Sequence, residues 1–236
     1  MTLSWATGTH QGRSRSDNQD SMFPEHDGLT NKELMLVVAD GMGGHVAGAL
    51  ASQTALTAAV SDLDLPPGAK VAAGNGAIMQ IVQERPEVRG MGTTMTLVEI
   101  AADGTASFAH VGDSRAYLLR GGHILQLTVD HTLVAELVAT GKITPEQALV
   151  HPKRSVVTRA LGVGAEMLVD TFEEQLEDDD RLLLCSDGLS VMISDADILA
   201  YGQQGSPTES VWALVEAANA AGGIDNITVA IAHFES

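Results

Sequence analysis

The chain has 236 residues, 44% of them hydrophobic, 19% charged and 3% aromatic, with a formal net charge of −18. That balance suits a soluble globular fold, long enough to bury a core of Leu, Val, Ile, Ala and Met, and excludes a disordered polar chain. The acidic surplus argues against binding a nucleic-acid backbone, and the lone cysteine, Cys185, excludes an intramolecular disulfide or a thiolate metal cluster.

Residues 1–9 hold no basic stretch followed by an apolar run, so they do not read as a signal peptide, and 3–9 is a strand candidate. A strand follows over 34–39, then a helix over about 45–63 with Ala49, Leu56, Val60 and Leu63 on one face, and a helix over about 68–84. Strands 93–101 and 105–111 are joined at Asp103-Gly104, and strands 115–120 and 123–128 at Gly121-Gly122; turns this short require antiparallel neighbours. Residues 131–162 form a weakly patterned pair of short helices, one starting at Thr144-Pro145-Glu146-Gln147. Lys142, Lys153, Arg154 and Arg159 outnumber Glu136 and Glu146 there, which fits either a helical insertion with ordinary surface charge or a movable flap that meets an anionic substrate. Strands 167–175 and 181–186 come next; Asp178-Asp179-Asp180 before the latter reads as a solvated turn, and Cys185 within its apolar run as an inert core thiol. Ser194-Asp195-Ala196-Asp197 starts a helix. Ser206-Pro207-Thr208-Glu209 is a capping box with proline at the first helical position, ahead of a Val211, Leu214, Val215, Ala218 stripe, and a strand over 227–234 ends the chain. Strand meanders plus amphipathic helices that must cover sheet faces predict an α+β layered sandwich in one domain over 1–236, with the flap at about 131–162. No segment approaches the ~20 apolar residues of a membrane span, so the expectation is a cytoplasmic protein with no membrane or nucleic-acid partner.

Five aspartates lie near strand ends: Asp20, Asp40, Asp113, Asp187 and Asp225. Carboxylates beside an apolar core are costly unless a cation or hydrogen bonds compensate them. If the strand after Asp225 runs antiparallel to the one before Asp187, these two and Asp40 meet at one sheet edge. Oxygen donors without Cys or clustered His select hard cations, Mg²⁺ or Mn²⁺. Gly41 and Gly188, each directly after one of these aspartates, let the backbone approach an ion closely. A carboxylate shared by two such ions would hold a bridging water and generate hydroxide near neutral pH. Arg15 offers planar bidentate donors to a phosphate.

Other motifs fail on particular residues. Gly41-Met42-Gly43-Gly44-His45 would need glycine in place of Val46 to be a dinucleotide loop, and no G-K-[ST] marks a P-loop. Ser186 lacks the first glycine of a hydrolase elbow, and the aspartate spacing does not match a calcium loop.

The strings Gly12-x-x-Arg15-x-x-Asn18-Gln19-Asp20, Ala39-Asp40-Gly41-Met42-Gly43-Gly44-His45, Gly92-Thr93-Thr94, Val111-Gly112-Asp113-Ser114-Arg115-Ala116-Tyr117, Leu127-Thr128-x-Asp130-His131, Cys185-Ser186-Asp187-Gly188-Leu189 and Asp225-Asn226-Ile227-Thr228 occur in that order. The ordered set resembles the metal-dependent type 2C serine/threonine protein phosphatases in their compact bacterial single-domain form. The resemblance implies a four-layer α-β-β-α sandwich, two central antiparallel sheets flanked by helix pairs, and hydrolysis of phosphoserine and phosphothreonine in proteins that serine/threonine kinases modify, by a monomer. It implies that Asp40 bridges two Mn²⁺ or Mg²⁺ ions, with Asp187 and Asp225 on the first and the Gly41 carbonyl on the second. Asp20 would hydrogen-bond the waters around the metals, Arg15 would clamp the substrate phosphate, and Asp113 with Asp187 would hold a third ion. The flap corresponds to the family's variable substrate-facing segment.

Three departures bear on this reading. Val191 stands where many relatives have an aspartate, which weakens the third site; Gln19 replaces a glutamate; and Met42 stands where animal members have a histidine proposed as general acid. His45 or a metal-bound water is then the candidate proton donor. Arg115 reads as a structural ion-pair partner. The alternative function is a catalytically silent relative that binds phosphoproteins, which should have lost one of Asp40, Asp187 or Asp225; all three are present.

Overall fold

In the computed structural model, residues 1–43 and 45–235 are described, with the side chains of His45 and Val46 left aside. In chain order the elements are β1 (Thr2–His10), β2 (Asp20–Phe23), β3 (Gly28–Thr30), β4 (Leu34–Met42), α1 (His45–Ser61) and α2 (Pro67–Glu84). Then come β5 (Gly92–Thr93), β6 (Met95–Ile100), β7 (Thr105–Val111), β8 (Arg115–Arg120), β9 (His123–Gln126), α3 (Leu133–Ala139) and α4 (Pro145–Leu149). The last are β10 (Asp170–Gln175), β11 (Asp180–Cys185), α5 (Asp187–Ser190), α6 (Asp195–Gly202), α7 (Pro207–Ala220) and β12 (Ile227–Glu235).

The strands form two antiparallel sheets. One has the order β3-β1-β12-β11-β8-β9; the other runs β10-β7-β6-β4-β2, with β5 paired to β4. The two-residue periodicity of the strands sorts their side chains between two environments. Leu34, Leu36 and Val38 of β4 face Leu182 and Leu184 of β11 and Ala230, Ala232 and Phe234 of β12 in a core between the sheets. The alternate residues Val37 and Ala39 pack under α1 and α2, while Leu183, Cys185, Val229 and Ile231 pack under α5, α6 and α7. Both faces of the central strands are therefore covered, which is why they read as unbroken apolar runs and not as alternating ones. The result is the expected α-β-β-α sandwich.

Helix starts follow the predicted chemistry: Thr144, Ser194 and Ser206 each close a capping box, and Val211, Leu214, Val215 and Ala218 are buried. Two local expectations fail. The buried face of α1 is not the Ala49–Leu63 stripe: Gly48, Ala51, Ser52, Ala55 and Ala59 point inward with Leu56, while Leu63 is 68% exposed. Small residues bring the α1 backbone close to its neighbours; a Cβ on Gly74 of α2 would sit 3.1 Å from the Ala55 carbonyl oxygen. Asp180 is likewise no solvated turn residue. It is buried, accepts from both Nε and Nη2 of the Arg120 guanidinium, and accepts the Glu177 N–H, so its charge is compensated by an ion pair and a backbone donor.

Candidate active site

The aspartates converge because of register. Asp20 opens β2 and lies opposite Asp40 near the end of β4, both in one sheet. In the other sheet Cys185 pairs with Val229, so Asp187, just past β11, meets Asp225, just before β12. The two strand ends abut where the sheets face one another. A cleft of about 600 Å³ opens there, lined by Arg15, Asp40, Gly41, Asp113, Asp187 and Asp225, with Thr94 and, from the 131–162 segment, Ser155 and Val157 also on its walls. A larger cavity of about 910 Å³, bounded by Trp5, Phe23, Leu34, Met35, Leu63 and Ile100, contains none of the predicted site residues.

Close backbone approach is a requirement at two glycines. A Cβ on Gly41 would meet the Gly48 carbonyl oxygen of α1 and, at 2.6 Å, that of Gln19; a Cβ on Gly188 would collide with the Asn226 carbonyl oxygen. Only glycine lets α1 and α5 start this close to the cleft. Asp40 is fixed through its backbone: its N–H donates to the Thr94 hydroxyl (3.0 Å), and its carbonyl accepts from Thr93 Oγ1 (2.8 Å) and Thr94 N (2.9 Å).

Asp20 sits beneath the cleft lining. Its Oδ2 accepts hydrogen bonds from Ser186 Oγ (2.8 Å) and Thr228 Oγ1 (2.6 Å), while its Oδ1 is buried without a partner. Burial pushes its pKa up to about 7 against the lowering effect of those two donors, with Asp187 and Asp225 adding like-charge repulsion. Asp187 is raised to about 6 by burial and then by Asp225; Asp113 is raised to about 7 by burial and then by Asp187. Asp40 is driven well above the carboxylate range by burial and by the surrounding Asp20, Asp187, Asp113 and Asp225. Each of the five repels others in the set, so they share one electrostatic site.

Arg15 is the cation on the rim. Its Nη2 donates to Asp225 Oδ2 at 2.5 Å, and this hydrogen bond is the main reason its own pKa is raised. The loop that carries it is strapped to the Asp225 strand. Arg13 N and Ser14 N donate to the Gly223 carbonyl, and the Asn226 side chain accepts Gln19 N (2.8 Å) while donating to the carbonyls of Gln11 (2.9 Å) and Asp17 (2.8 Å). Arg115 is an ion-pair partner of Asp130, Nε at 2.9 Å and Nη2 at 2.7 Å. The side chain of His45 lies outside the described residues. Cys185 is fully buried, its thiol pushed up to about 12, as an inert core group should be.

Among the described residues no three His, Cys, Asp or Glu side chains stand close enough to grip a single ion as they lie, and Asp225 pairs through Oδ2 with Arg15. The donor chemistry nevertheless suits hard cations: every acidic group is an oxygen donor, and Asp187 Oδ1, like Asp20 Oδ1, is buried without a hydrogen-bond partner. Sequence reasoning missed Thr94, Ser155 and Val157 as parts of the cleft and Ser186, Thr228 and Asn226 as its supports. All but Ser155 and Val157 fall inside the family strings.

The model of protein phosphatase 2C matches residues 7–221. The chain belongs to the protein phosphatase 2C family. The serine/threonine protein phosphatase PstP of Mycobacterium tuberculosis is 42% identical over 240 residues, covering 98% of this chain; the chain spans 45% of that protein's length. Protein phosphatase PhpP of Streptococcus pneumoniae is 40% identical over 235 residues, covering 94% of each chain. A crystal structure of the catalytic domain of PstP in complex with two manganese ions superposes with a TM-score of 0.87 at 39% identity, covering 100% of this chain and 99% of that one.

Proposed function

We propose that the chain is a Mn²⁺- or Mg²⁺-dependent phosphatase that hydrolyses phosphoserine and phosphothreonine in proteins, as a single catalytic domain with a flap over 131–162. The observation that carries the reading is the meeting of Arg15 with buried carboxylates from both sheets in one cleft. Five carboxylates with one guanidinium would repel a phosphate dianion, so the cleft suits this substrate only if cations reverse its field. Asp40, Asp187, Asp225 and the Gly41 carbonyl would hold two such ions, and Asp113 with Asp187 a third, for which Val191 supplies no carboxylate. Bound there, divalent ions supply positive charge toward the phosphoryl oxygens and acidify water for in-line attack.

The chain's own residues do the remaining work. Arg15 divides its donors between Asp225 and a substrate phosphate oxygen, holding the ester in line. Asp20, held through Oδ2 by Ser186 and Thr228, has an unpartnered Oδ1 that would hydrogen-bond the waters around the ions. Thr94 holds the Asp40 backbone in place. The serine alkoxide that leaves needs a proton, for which His45 is the candidate within this chain. Ser155 and Val157 bring the basic flap segment to the rim, where a phosphoprotein would lie.

The test is phosphate release from a phosphothreonine peptide, compared with a phosphotyrosine peptide, with Mn²⁺ present and after chelation. Release from the phosphothreonine peptide should need the ion and be abolished by Asp40→Ala or Asp187→Ala, while Arg15→Ala should mainly raise KM. Activity of the chelated Asp187→Ala protein would falsify the proposal.

A further inference from the structure

The Asp130-His131 pair ends a string whose histidine has no part in the reaction outlined above, yet that side chain is buried at 2% exposure between the cleft and the flap. The Gly112 N–H donates to His131 Nδ1 at 3.0 Å. Nδ1 must therefore carry a lone pair, so the ring proton is on Nε2, which donates to Asp170 Oδ2 at 3.1 Å. Burial lowers the pKa of His131, consistent with a neutral ring that uses one nitrogen in each direction. The other oxygen of Asp170 accepts from Arg159 Nη1 at 2.7 Å, and Arg159 belongs to the returning limb of the flap.

The backbone repeats both connections. His131 N donates to the Gly112 carbonyl and the His131 carbonyl accepts Thr158 N, each at 2.8 Å, while Leu133 N reaches the Val156 carbonyl at 2.9 Å. Thr132 and Val157 form a bridge, so the limb that lines the cleft through Ser155 and Val157 is paired to the residue after His131. On the cleft side the Gly112-Asp113 turn has no slack. Gly112 has φ +117°, and a Cβ there would sit 2.5 Å from Thr94 Cβ. The Thr94 hydroxyl in turn accepts the Asp40 N–H and lies 2.7 Å from Ser114 Oγ. His110, tilted against His131 with ring centroids 4.8 Å apart, is held by Thr96 Oγ1 and the Val129 carbonyl and walls in the ring from behind.

We propose that His131 is a positioning residue that couples the flap to the Asp113 turn: Nδ1 sets the turn, and Nε2, through Asp170 and Arg159, sets the flap limb. A merely space-filling histidine would not need two directional bonds to two different units. The coupling rests on the phosphatase reading only for its effect on substrate; the bonds themselves can be tested without turnover.

The two arms can be cut separately. In His131→Asn the amide oxygen takes the place of Nδ1 and nothing reaches Asp170; in His131→Gln the amide nitrogen takes the place of Nε2 and the Gly112 acceptor is lost. Asp170→Ala, at a half-exposed strand start, removes the acceptor of the flap arm while leaving the histidine and its Gly112 bond in place. Amide hydrogen exchange on the full chain, followed residue by residue with chelator present, should show Gly112 exchanging about tenfold faster in His131→Gln and little changed in the other two. The flap amides of Leu133 and Thr158 should speed up in His131→Asn and Asp170→Ala and stay protected in His131→Gln. With Mn²⁺ added, the flap-arm variants should raise KM for a phosphothreonine peptide about fivefold or more while leaving a small aryl phosphate unaffected. Equal exchange at Gly112 and at the flap amides in all three variants, whether raised or unchanged, would overturn the coupling. That holds even if the chain is an active phosphatase, and a chain that hydrolyses nothing would still give a readable exchange pattern.

Discussion

Asn226 is the strap between the Arg15 loop and the Asp225 strand, and Asn226→Ala should expose how much the cleft depends on it. The side chain is 5% exposed and makes three hydrogen bonds, one accepted from Gln19 N and two donated to the Gln11 and Asp17 carbonyls. At about 1 kcal/mol net for each such bond, the truncation should cost about 3 kcal/mol. For a chain of 236 residues this lowers Tm by roughly 6–12 °C. The released loop also carries Arg15, so inorganic phosphate should inhibit the variant about tenfold more weakly. Thermal melts by circular dichroism and phosphate inhibition of peptide hydrolysis measure the two effects. In the double variant with Arg15→Ala, the inhibition effects should fail to add, because Asn226 acts through the loop that holds the arginine. A Tm change under about 2 °C, or full additivity of the two substitutions, would refute this account.

Three further outcomes follow from the geometry. With chelator present, Asp40→Asn or Asp187→Asn should raise stability by about 1–3 kcal/mol, because each removes a carboxyl that burial, and then its acidic neighbours, make costly to ionise, while Mn²⁺ binding measured by calorimetry is lost; a lower Tm in chelator counts against the reasoning. The raised carboxyls, Asp20 and Asp113 to about 7 and Asp187 to about 6 from an ordinary value of 3.8, keep protons in the folded state that the unfolded chain has released. Their stabilising contribution is therefore full below about pH 4 and is lost as pH rises through about 7, so melts in chelator should show Tm falling across that window and Mn²⁺ restoring it at the alkaline end; a rise of this contribution with pH would show the sign to be wrong. Gly188→Ala would drive a Cβ into the Asn226 carbonyl oxygen, so either α5 or the Asp225 strand must move. A loss of about 3 kcal/mol or more is expected, and a variant that melts like the parent would mean that the approach is less tight than described.

Most strands were legible because both faces of the central strands are covered, leaving long apolar runs, and because Gly and Asp-Gly turns fixed which strands are neighbours; the four-layer order was implied only by the family resemblance. Antiparallel pairing could bring Asp187 and Asp225 together, but the expected single sheet edge with Asp40 is wrong: Asp40 lies on the other sheet and reaches them only because the two sheets face one another. The α1 face was not legible, since a helix that packs through Gly48, Ala51, Ala55 and Ala59 buries its smallest residues, and hydropathy points to its leucines instead. Strands β2 and β3 are short and only partly buried, so no periodicity announces them. Asp180 looked like its neighbours Asp178 and Asp179 because its partner, Arg120, is remote in sequence. Likewise Ser155 and Val157 reach the cleft only through tertiary pairing of the flap with Thr132 and His131.

The cleft is a seam between two halves that the chain builds from distant parts. Arg15 bonds to Asp225 across 210 positions, and Asp20 to Thr228 across 208. An intermediate with only one sheet formed would own Asp20 and Asp40, or Asp187 and Asp225, but never the full proposed ligand set. Divalent ions that need both pairs can then bind only after the sheets have docked, and mass action stabilises that docked state alone. Such contacts close late in folding, because loop-closure entropy must be met first. Cation uptake would therefore follow the final collapse of the molecule, and a chain arrested before it would be blind to manganese however much secondary structure it had formed.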